Sequence, residues 1–229
     1  MPFDCPDAVD YADVRALNRA FLMFLHGQES CRQWLAPLPD ALTTRICSLS
    51  LRQIDRLSKT PFLLFSMRER DDQFWEALLG DGHNGDLFTS RRGSIDDTGR
   101  LTAASLGFIW QVAKRNAYTA RLICGASLHW CELIAEQTIY QLLVCAGSHN
   151  DLLQLRYPSD TRFWTKLLQS GVSEEKELRL AAHLTALRTV LKNPLQQTNE
   201  TWAAAACASR QPLLQVADRN TVDDKQHSI

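Results

Sequence analysis

Four residues able to ligate a metal, His129, Cys131, Cys145 and His149, fall within a 21-residue stretch. Cys145 and His149 stand four apart, a spacing that puts two side chains on one helix face. A zinc site built this way normally carries a Cys-x-x-Cys pair, and none is present. The neighbouring Leu142, Leu143 and Val144 are core-like, so the thiols read as buried structural cysteines, and no metal or cofactor is expected. Cys124 and His129 are close in sequence, but spacing alone does not make a nucleophile–base dyad. No Gly-x-Ser-x-Gly elbow, phosphate-cradling loop or dinucleotide fingerprint occurs, and Gly80-Asp81-Gly82-His83 has loop composition only. The sequence therefore predicts no catalytic residue and no enzyme.

Basic residues offer a second kind of chemistry. Between Asp40 and Lys59, two short helices joined by Ser48-Leu49-Ser50 read as a helix-turn-helix. Arg52, Arg56 and Lys59 would then line one face of the second helix at i, i+4 and i+7, where they could meet phosphates. A solvated amphipathic helix pair produces the same pattern. Arg91-Arg92 and Lys114-Arg115 are the other basic pairs. Across the chain, 25 Lys and Arg balance 26 Asp and Glu. That balance lacks the footprint of a protein gripping nucleic acid alone, so such a role needs a local patch or a basic partner.

The elements that must position these residues are helical by periodicity. Val14, Leu17, Phe21, Phe24 and Leu25 share one face of a helix predicted over 8–33, which Pro37 and Pro39 end. Asp40 is the expected N-cap of a helix through Ile46 and Cys47, and Ser50 that of a helix carrying Leu51, Ile54 and Leu57. Phe62 to Met67 is a short apolar run expected to be extended. Asp71 or Asp72 restarts a helix through Phe74, Trp75, Leu78 and Leu79. Gly80 to Gly99 reads as a loop. Helical, apolar-rich sequence resumes at Leu101 and runs to Ala146. Leu152 to Tyr157 is a second extended run, and Asp160 opens a helix holding Phe163, Trp164, Leu167 and Leu168. A last amphipathic helix presents Leu178, Leu180, Leu184, Leu187 and Leu191 and stops at Asn193-Pro194.

The fold class predicted is all-α, with two tandem small helical units that each contain one short extended segment. The first unit covers 1–80, a linker 81–100, the second unit with an extra helix 101–194, and a frayed polar tail 195–229. Seven cysteines, odd in number and irregularly spaced, with no apolar signal region ahead of them, point to a reducing cytoplasm. Every long apolar stretch is broken by charge before the roughly 18 residues of a membrane span, so no membrane role is expected.

Phe74-Trp75-x-x-Leu78-Leu79 recurs as Phe163-Trp164-x-x-Leu167-Leu168, and Asp71 recurs as Asp160, all 89 residues on. Upstream, matching Trp34 to Trp130 changes the offset to 96. An aromatic pair at a fixed distance after an extended segment fits two copies of one packing unit, with Phe74, Trp75, Phe163 and Trp164 as core or subunit-interface anchors. The run from Ser48 to Ser58, then Phe62-Leu63-Leu64-Phe65, then Asp71 to Leu79 resembles the central part of the FlhD family of bacterial flagellar regulators. Thr138-Ile139-Tyr140-Gln141-Leu142-Leu143, Leu155-Arg156-Tyr157 and Phe163 to Leu168 resemble the same family's Leu-x-x-Leu helix, Phe-Arg-Phe segment and following helix.

The resemblance implies an all-helical dimerising fold without catalysis. It also implies action with a zinc-binding, FlhC-like partner on promoter DNA, with homo-oligomers a further expectation. Two departures bear on this. Ser66 and Leu153-Gln154 stand where the family has a bridging Cys, so that disulfide is not carried over. Arg68-Glu69-Arg70 replaces Phe-Arg-Phe in the first copy, so its extended segment is expected to be the more exposed one. The alternative function is a helical adaptor of a secretion or conjugation system that binds no DNA.

Overall fold

The computed structural model describes residues 6–27, 32–80, 96–149 and 151–192, and the expected tail over 195–229 lies outside them. The elements run α1 (Ala8–Gly27), α2 (Arg32–Leu35), α3 (Asp40–Cys47), α4 (Leu51–Leu57), β1 (Phe65–Ser66) and α5 (Asp72–Gly80). They continue with α6 (Asp97–Arg115), α7 (Ala117–Cys124), α8 (Leu128–Glu136), α9 (Ile139–Ser148), β2 (Gln154–Leu155), α10 (Thr161–Ser170) and α11 (Lys176–Lys192). The chain is all-α apart from the two-residue strands, and no described helix is long and apolar enough to cross a membrane.

Local chemistry explains most of the boundaries. Ser50 Oγ accepts from the Gln53 amide at 3.3 Å while Gln53 Oε1 accepts from the Ser50 amide at 2.9 Å, a reciprocal capping box that starts α4. Thr138 and Gln141 repeat the box at α9 with distances of 3.2 and 2.9 Å. Asp71 Oδ1 accepts from the Phe74 amide at 3.1 Å and Asp160 Oδ1 from the Phe163 amide at 3.0 Å, opening α5 and α10. Asp40 does not cap α3; the cap position is Pro39, without a side-chain bond, and Asp40 is the first helical residue. The expected 81–100 linker is too long at its C-terminal end, because Asp96 accepts from the Gly99 amide at 2.7 Å and α6 begins at Asp97. The apolar stretch 101–146 is four helices, broken at Asn116, at Gly125 with φ +65°, and at Thr138.

The strands pair antiparallel, Phe65 facing Leu155 and Ser66 facing Gln154. Exchanging positions 89 apart maps this pairing onto itself. Other features recur at the same offset. Arg68 and Tyr157 both adopt the left-handed region, with φ of 54° and 48°. Trp75 Nε1 donates to Met67 O at 3.1 Å, and Trp164 Nε1 donates to Arg156 O at 2.8 Å. Within each aromatic pair the rings meet edge to face, 5.9 Å apart for Phe74–Trp75 and 5.7 Å for Phe163–Trp164. The suggested match of Trp34 to Trp130 is not kept: Trp34 lies in α2 and Trp130 in α8, the helix that precedes the second capping box as α3 precedes the first.

The core runs without interruption across the middle of this sequence. Trp75 and Trp130 pack edge to face at 5.6 Å, Phe62 meets Phe163 at 6.2 Å, and the Leu63 amide donates to Ile123 O at 3.0 Å. Asn18, fully buried in α1, donates to Thr60 Oγ1 and Phe62 O and accepts from the Leu64 amide. This fixes the first extended segment with three bonds that a leucine could not make.

α11 forms as expected, but its leucines are not the residues that face inward. His183, Ala186 and Val190 point inward, while Leu178, Leu180 and Leu184 are 45%, 54% and 49% exposed. The physical reason is close approach. A Cβ on Gly125 would lie 2.3 Å from Val190 Cγ1, and one on Gly171 would lie 3.3 Å from His183 Nε2, so these glycines let the inward face of α11 approach closely, with Leu187 packed against the core at its flank.

Candidate functional site

At the β1–β2 junction the residues combine charge, burial and strand pairing. Arg156 is 2% exposed and follows β2 directly. Its Nε donates to Leu63 O at 2.6 Å and its Nη2 to Phe65 O at 2.8 Å, both carbonyls of the first extended segment. Its Nη1 faces Glu69 Oε1 at 3.0 Å, an ionic approach without a hydrogen-bonding angle. Glu69, also 2% exposed, accepts from Ser66 Oγ at 2.6 Å and the Met67 amide at 2.7 Å through Oε2. Each charge is thus paired and hydrogen-bonded, as burial requires. The expectation that Arg68-Glu69-Arg70 leaves its segment exposed is therefore corrected. Glu69 turns inward to meet Arg156, and Arg68 lies over the Phe74 ring at 3.7 Å while bridging Asp71 and Asp151. The Arg68 guanidinium holds the Asp71 carboxyl below the usual carboxylate range. Arg70 is hydrogen-bonded to Tyr157 and lies over its ring.

The three proposed phosphate-contacting residues do not form one free face. Arg52 is exposed on α4. Arg56 donates to Val172 O at 3.3 Å and pairs with Glu174 at 2.6 Å, tying α4 to the α10–α11 turn and holding Glu174 below its ordinary pKa. Lys59 is exposed but lies beyond the end of α4 at Leu57, so the i+7 step leaves the helix. Counting from the second capping box, the matching positions are Tyr140, Val144 and Gly147, and the basic set has no counterpart there. The two helices themselves are present, joined by Ser48, Leu49 and Ser50 as expected. Arg91 and Arg92 lie outside the described residues.

Of the aromatic anchors, Trp75, Phe163 and Trp164 are buried within this chain. They belong to its hydrophobic core. Phe74 is half-buried between Arg68 and His149.

The Cys and His residues are not brought together. Cys124, Cys131 and Cys145 are buried, whereas His129 faces solvent 3.5 Å from Glu76. Burial pushes the Cys124 thiol well up and that of Cys131 up to about 12, so both remain protonated and unreactive. Among the described residues no three His, Cys, Asp or Glu side chains could hold one metal ion.

Sequence reasoning missed the Glu69–Arg156 pair, because the two residues are far apart in sequence and no local spacing links them. It also missed that α11 leaves Leu178, Leu180 and Leu184 outward. Comparison with protein-family models, with curated proteins and with solved structures finds no match for this chain.

Proposed function

We propose that this chain is a non-enzymatic, FlhD-like regulatory subunit of the cytoplasm, holding two divergent units in tandem and acting on promoter DNA in complex with an FlhC-like, zinc-binding partner. The observation that carries the reading is the β1–β2 pair: two segments with the same aromatic signature meet antiparallel inside one chain. A family that dimerises would present such a pairing if both halves were fused. The near-neutral charge supports a division of labour in which the partner supplies positive charge and base reading.

The test is a promoter-binding assay with the chain alone, the partner alone and both together, over a series of salt concentrations. The reading expects a salt-sensitive complex only with both. DNA binding by the partner that is unchanged by this chain contradicts it. A specific observation favours a second reading, the adaptor of a secretion or conjugation system: Arg56 is committed to Val172 and Glu174, leaving α4 without a continuous basic face. That reading expects no DNA affinity under any condition and recovery of secretion or conjugation components with the tagged chain.

A further inference from the structure

Along the outer side of α10 and α11 runs an open groove of about 520 Å³. Its open apolar lining is Leu178, 45% exposed, with the small side chains of Ala181 and Thr185 beside it on α11, while Phe163 forms the buried floor. Small residues at this spacing leave room for another backbone to approach closely. On the α10 wall stand Arg162 and Lys166, four apart, both exposed and without an ion pair among the described residues, beside one carboxylate, the N-cap Asp160, whose Oδ1 accepts from the Phe163 amide. From Leu178 to Thr189 the groove follows α11 over twelve residues, about 16 Å at the helical rise. That is the length of three helical turns.

The basic wall is a property of the second half alone. Eighty-nine residues earlier the corresponding positions of α5 are Gln73 and Ala77. Two lysine or arginine side chains added to one helix, over an apolar floor that the described residues leave open, specify an occupant that is apolar on one face and acidic beside it.

The geometry points to this groove as the docking site for an amphipathic helix of a partner protein, seated by apolar side chains on Leu178 and Ala181, with carboxylates four residues apart paired to Arg162 and Lys166. Recognition is of the helix-in-groove kind, in which apolar anchors supply contact area and the flanking charges select the partner and its direction. The inference rests on the assembling, non-catalytic reading only in expecting a partner; it does not require DNA.

The test uses the full chain and two fluorescein-labelled synthetic helices of about 15 residues. Both carry leucines at i, i+4 and i+7; one carries glutamates at i+1 and i+5, and the other carries lysines there. Anisotropy titration is expected to show saturable binding of the acidic helix and none of the basic one. Affinity should fall about tenfold in Arg162→Glu/Lys166→Glu and fall again as salt rises. Ala181→Trp, an exposed position, should fill the groove and abolish binding while the circular dichroism spectrum is unchanged. The inference is overturned if both helices bind alike, if neither binds, or if the double charge reversal leaves affinity unchanged. Self-association of the chain that Ala181→Trp abolishes, without binding of the acidic helix, assigns the groove to a second copy instead. Because no DNA or natural partner enters this assay, its failure leaves the promoter reading standing, and loss of the promoter reading leaves the groove intact.

Discussion

Glu69→Gln should be among the most damaging single substitutions in this protein that removes no apolar contact. Arg156 lies within the core, and its charge is offset by two carbonyls of the first extended segment and the Glu69 carboxylate at 3.0 Å. Neutralising Glu69 leaves a guanidinium buried with no counter-charge, a change that costs about 3–5 kcal/mol when a buried pair loses one member. Against a typical folding stability of roughly 5–15 kcal/mol, that is about a fifth of the total or more. Arg156→Met leaves the opposite charge, but Glu69 keeps its bonds from Ser66 Oγ and the Met67 amide, so its cost should be the smaller one. Combining the two removes both charges with little change in volume. The double variant should be more stable than the sum of the singles predicts, by about 1–3 kcal/mol of coupling. Urea unfolding followed by tryptophan fluorescence measures all four proteins, with a constant m-value as the check on two-state behaviour. Strict additivity, or a Glu69→Gln cost below about 1 kcal/mol, would refute the argument that this pair fastens β1 to β2.

Three further outcomes follow from the geometry. Gly125→Ala forces a side chain into φ +65° and against Val190 Cγ1 at 2.3 Å, and should lower the melting temperature by several degrees in a thermal scan while a surface control such as Gly147→Ala does not. His183 is held neutral by burial, which lowers its pKa below 6.5 despite the bond to Gly171 O at 3.1 Å. The unfolded chain therefore binds the extra proton first. Stability is full above pH 6.5, falls as pH drops below it and levels off at the folded pKa; His183→Gln should flatten that slope in urea titrations between pH 5 and 7.5. Iodoacetamide labelling read by mass spectrometry should modify half-buried Cys47 in the native protein and reach Cys124 and Cys131 only in denaturant.

Local signals in the sequence were enough for elements whose ends are written in side-chain chemistry. Ser50, Asp160 and the Ser48-Leu49-Ser50 joint were legible because a cap acts within three residues of itself. The aromatic recurrence 89 residues apart was legible as well, since Trp75 and Trp164 each need a carbonyl eight positions back and bring their own segment with them. Periodicity placed α11 as a helix, but leucines at helical spacing cannot say whether the chain or something else covers them, and Leu178, Leu180 and Leu184 lie exposed. The three basic residues of the α4 region failed as a set for a related reason: Arg56 found carbonyl and carboxylate partners in the α10–α11 turn, more than a hundred residues away. The buried charge pair could not be read at all, because its meaning lies in a strand pairing between distant segments.

The most direct test of the regulatory reading is affinity purification of the tagged chain from its native host, with mass spectrometry of what accompanies it. The account predicts recovery of a small, cysteine-rich, zinc-binding protein, and promoter DNA retained by the two together. Recovery of secretion or conjugation components without such a protein would contradict it.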